Sequence, residues 1–146
     1  MITTDLKELF KSGEQDNLLM DIYLDENRLE YQRERYVTAI EQFEKLYGVT
    51  DVSIYSAPGR SEIGGNHTDH QNGEVLAASV NLDAIAIVEA VDAPTVKVVS
   101  GNYPMITVDL NDLNQKTEEE GTTCALIKGV RSCGSPGVVC NADLRH

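Results

Sequence analysis

The 146-residue chain has no tryptophan, only two phenylalanines, four prolines and three cysteines. With so few large aromatics, a core has to be assembled from Val, Ile, Leu and the six tyrosines. The cysteines Cys124, Cys133 and Cys140 are odd in number and confined to the last quarter, which argues against a disulfide framework and for reduced thiols. No apolar run is long enough to cross a bilayer. The start, MITTDLKELFKSG, has neither a basic opening nor an unbroken apolar stretch, so it does not read as a secretory signal and a cytoplasmic protein is expected. Basic charge is scarce: 12 Lys and Arg stand against 24 Asp and Glu, a formal net charge of -12. Such a surface repels a polyanion, so no nucleic-acid partner and no membrane partner is expected. A small phosphorylated ligand in a local pocket stays allowed.

What is present is patterned as one domain of moderate size. Thr3 and Thr4 are placed to cap a short helix that carries Leu6, Leu9 and Phe10 and stops at Gly13. A longer helix is expected over Glu26 to Tyr47. Tyr36, Ile40, Phe43 and Tyr47 recur at the spacing of one helical face, and Gly48 follows as a stop. The pattern then switches to alternation. Strands are expected around Val52 and Ile54, over Val75 to Asn81, over Leu82 to Val91, at Val96 and Val98, and from Ile106 to Leu110. A last helix is expected near Thr122 to Arg131. Helices followed by hairpin-spaced strands give an α+β domain, N-terminal helices packed on a mostly antiparallel sheet.

One segment concentrates chemistry. SAPGRSEIGGNHTDHQNGEVLAAS, Ser56 to Ser79, holds four of the eleven glycines and two of the three histidines. It reads as a glycine-rich connection between strands. Neither a Gly-Lys-Ser/Thr ending nor a GxGxxG run is there, so the two commonest phosphate loops are excluded. Asp69 offers two oxygens to neighbouring hydroxyls, His67 both donates and accepts, and Asn66 adds one of each. Those groups suit a small, neutral, hydroxyl-rich molecule such as a sugar. Arg60 presents a charged fork of donors, suited to a carboxylate, a phosphate or charge developing on a transferred phosphoryl group. Two plainer readings stay open. Asp69 can cap a turn while Arg60 forms a surface ion pair, and His67 with His70 can begin a metal site, although no spacing supplies further ligands.

The run APGRSEIGGNHTDHQNGEVLAASV resembles the signature of the galactokinase family, within the GHMP group of small-molecule kinases. Ala57, Pro58, Gly59, Arg60, Gly65, His67, Thr68, Asp69, Gly73, Val75 and Leu76 match that pattern in order without a gap. The resemblance implies part of a GHMP-kinase N-terminal domain, of the ribosomal S5 domain 2-like type, over residues 1–131. It implies ATP- and magnesium-dependent phosphorylation of galactose, or a related hexose, at the anomeric hydroxyl. It places Asn66, His67 and Asp69 on the sugar and Arg60 beside the reacting hydroxyl as the catalytic residue, with no resident metal site.

The resemblance also has gaps. Asn66 stands where the family usually has Glu, His70 replaces Tyr, and Gly64 replaces Ile, so either a changed sugar preference or a weakened activity is expected. The family's Gly-Leu-Ser-Ser-Ser phosphate loop does not occur in this sequence, so no cofactor-binding residue is assigned. Residues 132–146 depart from the family and read as a tail left by truncation or a frameshift. The expectation is a kinase-like chain inactive by itself, with a non-catalytic sugar sensor as the alternative.

Overall fold

The computed structural model of the chain describes residues 1–65, 74–132 and 139–143. Helix α1 spans Thr3–Ser12 and ends on Gly13 in the left-handed region, whose N–H reaches the Phe10 carbonyl. The threonines do not cap it. Ile2 precedes the helix without a side-chain cap bond, and Thr3 is itself fully buried. Its amide bonds instead to the Thr50 carbonyl at 3.0 Å, which ties the start of the chain to the segment before the first strand.

A helix that the pattern reading omits follows: α2, Asp16–Tyr23, with Leu19 and Tyr23 buried. Asp16 accepts from both the Nε and an Nη of Arg33, so the helix is clamped to its successor. The expected long helix begins with one 3₁₀ turn, Glu26–Arg28, and continues as α3, Leu29–Tyr47. The predicted face is the observed one: Tyr36, Ile40 and Phe43 are buried, and Tyr47 packs against them. Phe10 stacks on Tyr36 with ring centres 4.7 Å apart. Burying such side chains stabilises by roughly 1.5–3 kcal/mol each, so α1, α2 and α3 are held as one layer mainly by this cluster.

The sheet has five strands in the order β1-β2-β5-β3-β4. Strand β1 is Ser53–Gly64, β2 is Leu76–Glu89, β3 is Thr95–Ser100, β4 is Ile106–Asp109 and β5 is Val139–Asp143. All neighbouring pairs are antiparallel except β3 with β5. Helix α4, Thr123–Ser132, precedes β5. The α+β class with helices on a mostly antiparallel sheet is therefore the architecture observed.

Three expectations change. The runs Val75–Asn81 and Leu82–Val91 are one strand, because β1 is long enough to pair along both. The opening glycine-rich stretch is not a loop as far as Gly64: it continues β1 through Pro58, which β1's place at the sheet edge permits, since an edge proline forfeits no ladder bond on its open side. And the tail supplies β5, in the middle of the sheet between β2 and β3.

Ile54, Ile85 and Ile87 face the helices, and the core ends near there. Beyond Ser56 and Asp83 the β1–β2 hairpin projects past the helical layer, and Tyr55, Ile63, Leu76 and Leu82 are exposed.

Leu24 closes α2 in the left-handed region (φ 54°), is 82% exposed and has no core role to lose. Left-handed backbone costs a β-carbon residue about 1 kcal/mol. Leu24→Gly is expected to raise the thermal midpoint by a few degrees, after partial offset by the freer unfolded chain. A calorimetric midpoint that stays or falls would count against this account of the α2 terminus.

Candidate functional site

The hairpin is built on a buried polar anchor. Arg35, from the face of α3 turned to the sheet, gives Nη1 to Asp83 Oδ1 at 2.5 Å and Nη2 to the Asp83 carbonyl at 2.7 Å. Both side chains are more than nine-tenths buried. Tyr23 donates to Asp83 Oδ2 at 2.8 Å, and Ser56 donates to the same oxygen at 2.5 Å. The Tyr23 and Tyr36 hydroxyls lie 3.0 Å apart, and Gln32 accepts from Arg35 at 3.2 Å. Each oxygen of the carboxylate thus meets at least one donor, which is what allows a charge to sit there.

Burial pushes the Asp83 carboxyl up, but the bonds from Ser56, Arg35 and Tyr23 outweigh it and hold the group below its ordinary value. Burial, the bond with Tyr36 and the nearby carboxylate push the Tyr23 phenol far above its usual range, so it stays a donor. None of these groups appeared among the sequence candidates. The one signal was an Asp inside a run of Ile, Ala and Val, which a buried strand tolerates only with a cation behind it.

Outward from this anchor the pairing shifts twice. Ser53 to Pro58 pair with Val88 to Asp83 in regular register. Arg60 then faces Ser79, so Val80, Asn81 and Leu82 lie opposite Gly59 alone. A Cβ on Gly59 would stand 3.1 Å from Val80 Cγ2 and 3.3 Å from the Leu82 carbonyl oxygen, so the bulge closes tightly over a residue without a side chain. A second shift between Glu62 and Gly64 follows. Bulges of this kind bend a strand and re-aim the side chains beside them.

Arg60 sits directly after the first bulge, exposed, and its side chain makes no hydrogen bond or ion pair with another described residue. At the hairpin's end Gly65 has φ 90°, and a Cβ there would lie 2.8 Å from the Glu74 carbonyl oxygen. The two strands are therefore pinched together where they leave the described hairpin. Asn66, His67 and Asp69, with Thr68 and His70, lie outside the described residues; the connection they belong to starts and ends at this pinch. Arg60 is four residues before Gly64, about 13 Å along the strand.

Elsewhere, a cleft of about 340 Å³ lies between Leu113–Lys116 and one face of α4. Its cations are already committed. Lys116 pairs with Asp112 at 2.8 Å and Lys128 with Glu119 at 2.8 and 2.9 Å. Of the cysteines, Cys124 is half-buried with its thiol pushed up by burial and the Glu119 charge. No helix of the described residues is long and apolar enough to cross a membrane.

With this geometry in place, three comparisons with known proteins can be set beside it. Residues 41–90, from the second half of α3 to the end of β2, match the galactokinase galactose-binding signature. The chain is related to the galactokinases. It is 30% identical over 82 residues to the galactokinase of Lactococcus lactis subsp. lactis strain IL1403, covering 56% of this chain and 21% of that one. To the galactokinase of Streptomyces coelicolor it is 32% identical over 73 residues, covering 50% and 19%. The crystal structure of Lactococcus lactis galactokinase complexed with galactose superposes with a TM-score of 0.59 at 26% identity, over 70% of this chain and 29% of that chain. The chain spans about a fifth of the length of the curated relatives it matches.

Two outcomes follow from the site's construction. Asp83→Asn leaves Arg35 buried without its counter-charge and is expected to lower stability at neutral pH by about 3 kcal/mol. A depressed carboxyl contributes fully above its unfolded value, about 3.9, and loses that contribution as pH falls through the lower folded value. The gap between Asp83→Asn and the parent chain in urea unfolding is therefore expected to narrow below about pH 4. Gly65→Ala meets both the positive φ and the Glu74 carbonyl, and is expected to cost 1–3 kcal/mol by roughly the same measurement. Gly64→Ala, where a Cβ meets nothing within 4 Å, serves as its control.

Proposed function

We propose that the β1–β2 hairpin and its connection form a hexose-binding site of the galactokinase type, with galactose as the ligand to test first. The observation that carries this reading is the coincidence of the matched galactose-binding signature with the pinched, bulged hairpin, whose guanidinium is uncommitted. In this reading Asn66, His67 and Asp69 hold ring hydroxyls. A carboxylate bridging two adjacent hydroxyls and an imidazole on a third define a stereochemical pattern that a single hydrogen bond cannot. Arg60 stands toward the anomeric oxygen, where a fixed positive charge favours the charge that develops on phosphoryl transfer.

ATP and magnesium belong to this reaction through the relatives. No group of three or more His, Cys, Asp or Glu side chains among the described residues is disposed around a cation, and the sequence has no Gly-Leu-Ser-Ser-Ser run. What we assign to these 146 residues is therefore recognition of the sugar, and no step here runs through a nucleotide. Residues 1–131 carry the kinase-like domain in this proposal. Residues 132–146 are assigned no part in sugar recognition.

Isothermal titration of the purified chain with galactose, glucose and myo-inositol tests the reading. Galactose binding is expected, weakened at least tenfold by Asp69→Ala and less by Arg60→Ala, since Arg60 meets the reacting oxygen rather than the ring pattern. Absence of binding to any hexose, or binding untouched by Asp69→Ala, would overturn it.

A further inference from the structure

Past the first bulge the outer ribbon is regular again. Arg60 pairs with Ser79, Ser61 with Ala78 and Glu62 with Ala77. Directly opposite residues of an antiparallel pair carry their side chains on one face, with Cβ atoms about 4.5–5.5 Å apart. Successive residues alternate between faces. One face of this stretch therefore carries Arg60, Ser79, Glu62 and Ala77, and the other carries Ser61 and Ala78. The β2 side chain that stands beside Arg60 is Ser79.

Both residues are exposed, and neither the Ser79 hydroxyl nor the Arg60 guanidinium bonds to another described residue. The space around them is open. Ala77 and Ala78 are small, and the Val80 side chain is turned against Gly59, where a Cβ would stand 3.1 Å from its Cγ2. The two polar groups differ in reach and in kind. Arg60 holds its fork at the end of a long stem and can only donate, whereas the Ser79 hydroxyl stays close to the strand and both donates and accepts. A ligand seated across the pair meets them with two different oxygens.

We propose that Ser79 is a further ligand-contacting residue of the hexose site and that it reads the hydroxyl next to the anomeric position. The inference rests on the hexose-site reading, in which Arg60 stands toward the anomeric oxygen. In a hexose ring the anomeric carbon has two neighbours, the ring oxygen and C2. The ring oxygen can only accept a hydrogen bond. The 2-hydroxyl both donates and accepts, which is what the Ser79 hydroxyl can answer in either sense. The contact adds a polar group on β2 to those assigned to the connection, and it makes the site sensitive to loss of the 2-hydroxyl.

The test is isothermal titration of the full chain with galactose and with 2-deoxygalactose. Ser79→Ala removes one exposed, unbonded hydroxyl, so the fold survives it. Galactose affinity is expected to fall about fivefold in Ser79→Ala, the loss of one hydrogen bond, and to recover in Ser79→Thr, which keeps the hydroxyl. The parent chain is expected to bind 2-deoxygalactose more weakly than galactose, and Ser79→Ala to bind 2-deoxygalactose as the parent does, because that contact is already gone. A serine acting only through the structure would weaken both sugars alike. Ser61→Ala is the matched control, an exposed serine next to Arg60 on the opposite face, and is expected to leave both affinities unchanged. If Ser79→Ala binds galactose as the parent does, or loses the two sugars equally, the proposal is overturned while the hexose-site reading stands. If the parent chain binds no hexose, that reading falls and the Ser79 assignment falls with it.

Discussion

One buried ion pair connects the two halves of this structure. Arg35 belongs to the helical layer and Asp83 to the sheet, and no other charged pair with both side chains over nine-tenths buried joins helix to strand among the described residues. Apolar packing between Ile40, Phe43, Ile85 and Ile87 supplies most of the attraction, but it is tolerant of small slides. A guanidinium that must meet a carboxylate, a carbonyl and a tyrosine is not. The pair adds little net stability relative to a packed apolar alternative, because both charges leave water to make it. Its effect is selectivity: it distinguishes one seating of α3 on the sheet from its neighbours.

The same logic explains why the hairpin can project beyond the core and still be ordered at its base. Exposed two-stranded ribbons are marginal by themselves. Here the ribbon is fixed at one end by Asp83 and Ser56, and closed at the other by the approach of Gly65 to Glu74. Between those points two bulges add twist. Ile63, Leu76 and Leu82 remain open to solvent along it, at 66%, 62% and 62% exposure, so the ribbon's rigidity comes from its two ends rather than from burial of its sides.

What could be read from the sequence divides along the range of the interactions. The face of α3, the stops at Gly13 and Gly48 and the β3–β4 hairpin rest on local periodicity and turn chemistry, and they were legible. Helix α2 was missed because eight residues between Gly13 and the 3₁₀ turn give barely two turns of pattern, and its register depends on Arg33 from another helix. Strand β1 was misjudged beyond Ser56 because Pro and Gly there imitate a turn; only pairing with β2 shows them to be edge and bulge positions. The central place of β5 could not be read from its own residues, since it depends on β2 and β3 both presenting free edges. For the candidate site, the motif offers Arg60, Asn66, His67 and Asp69 as expectations, the last three outside the described residues. The buried pair at the base of the hairpin had no local signature: Arg35 and Asp83 are 48 positions apart, and their meeting is a product of the fold alone.

The charge balance bears on Arg60. With two acidic residues for every basic one, carboxylate partners are plentiful. Six described cations use them, Lys7 with Glu44, Lys11 with Glu41, Arg33 with Asp16, Arg35 with Asp83, Lys116 with Asp112 and Lys128 with Glu119, while Arg28, Lys45 and Lys97 are in no such pair. Arg60 carries five donors and has no carboxylate partner among the described residues. Exposed ion pairs contribute little, so an unpaired surface guanidinium costs the fold almost nothing. Its place is beside a bulge that closes over Gly59, where a Cβ would stand 3.1 Å from Val80 Cγ2.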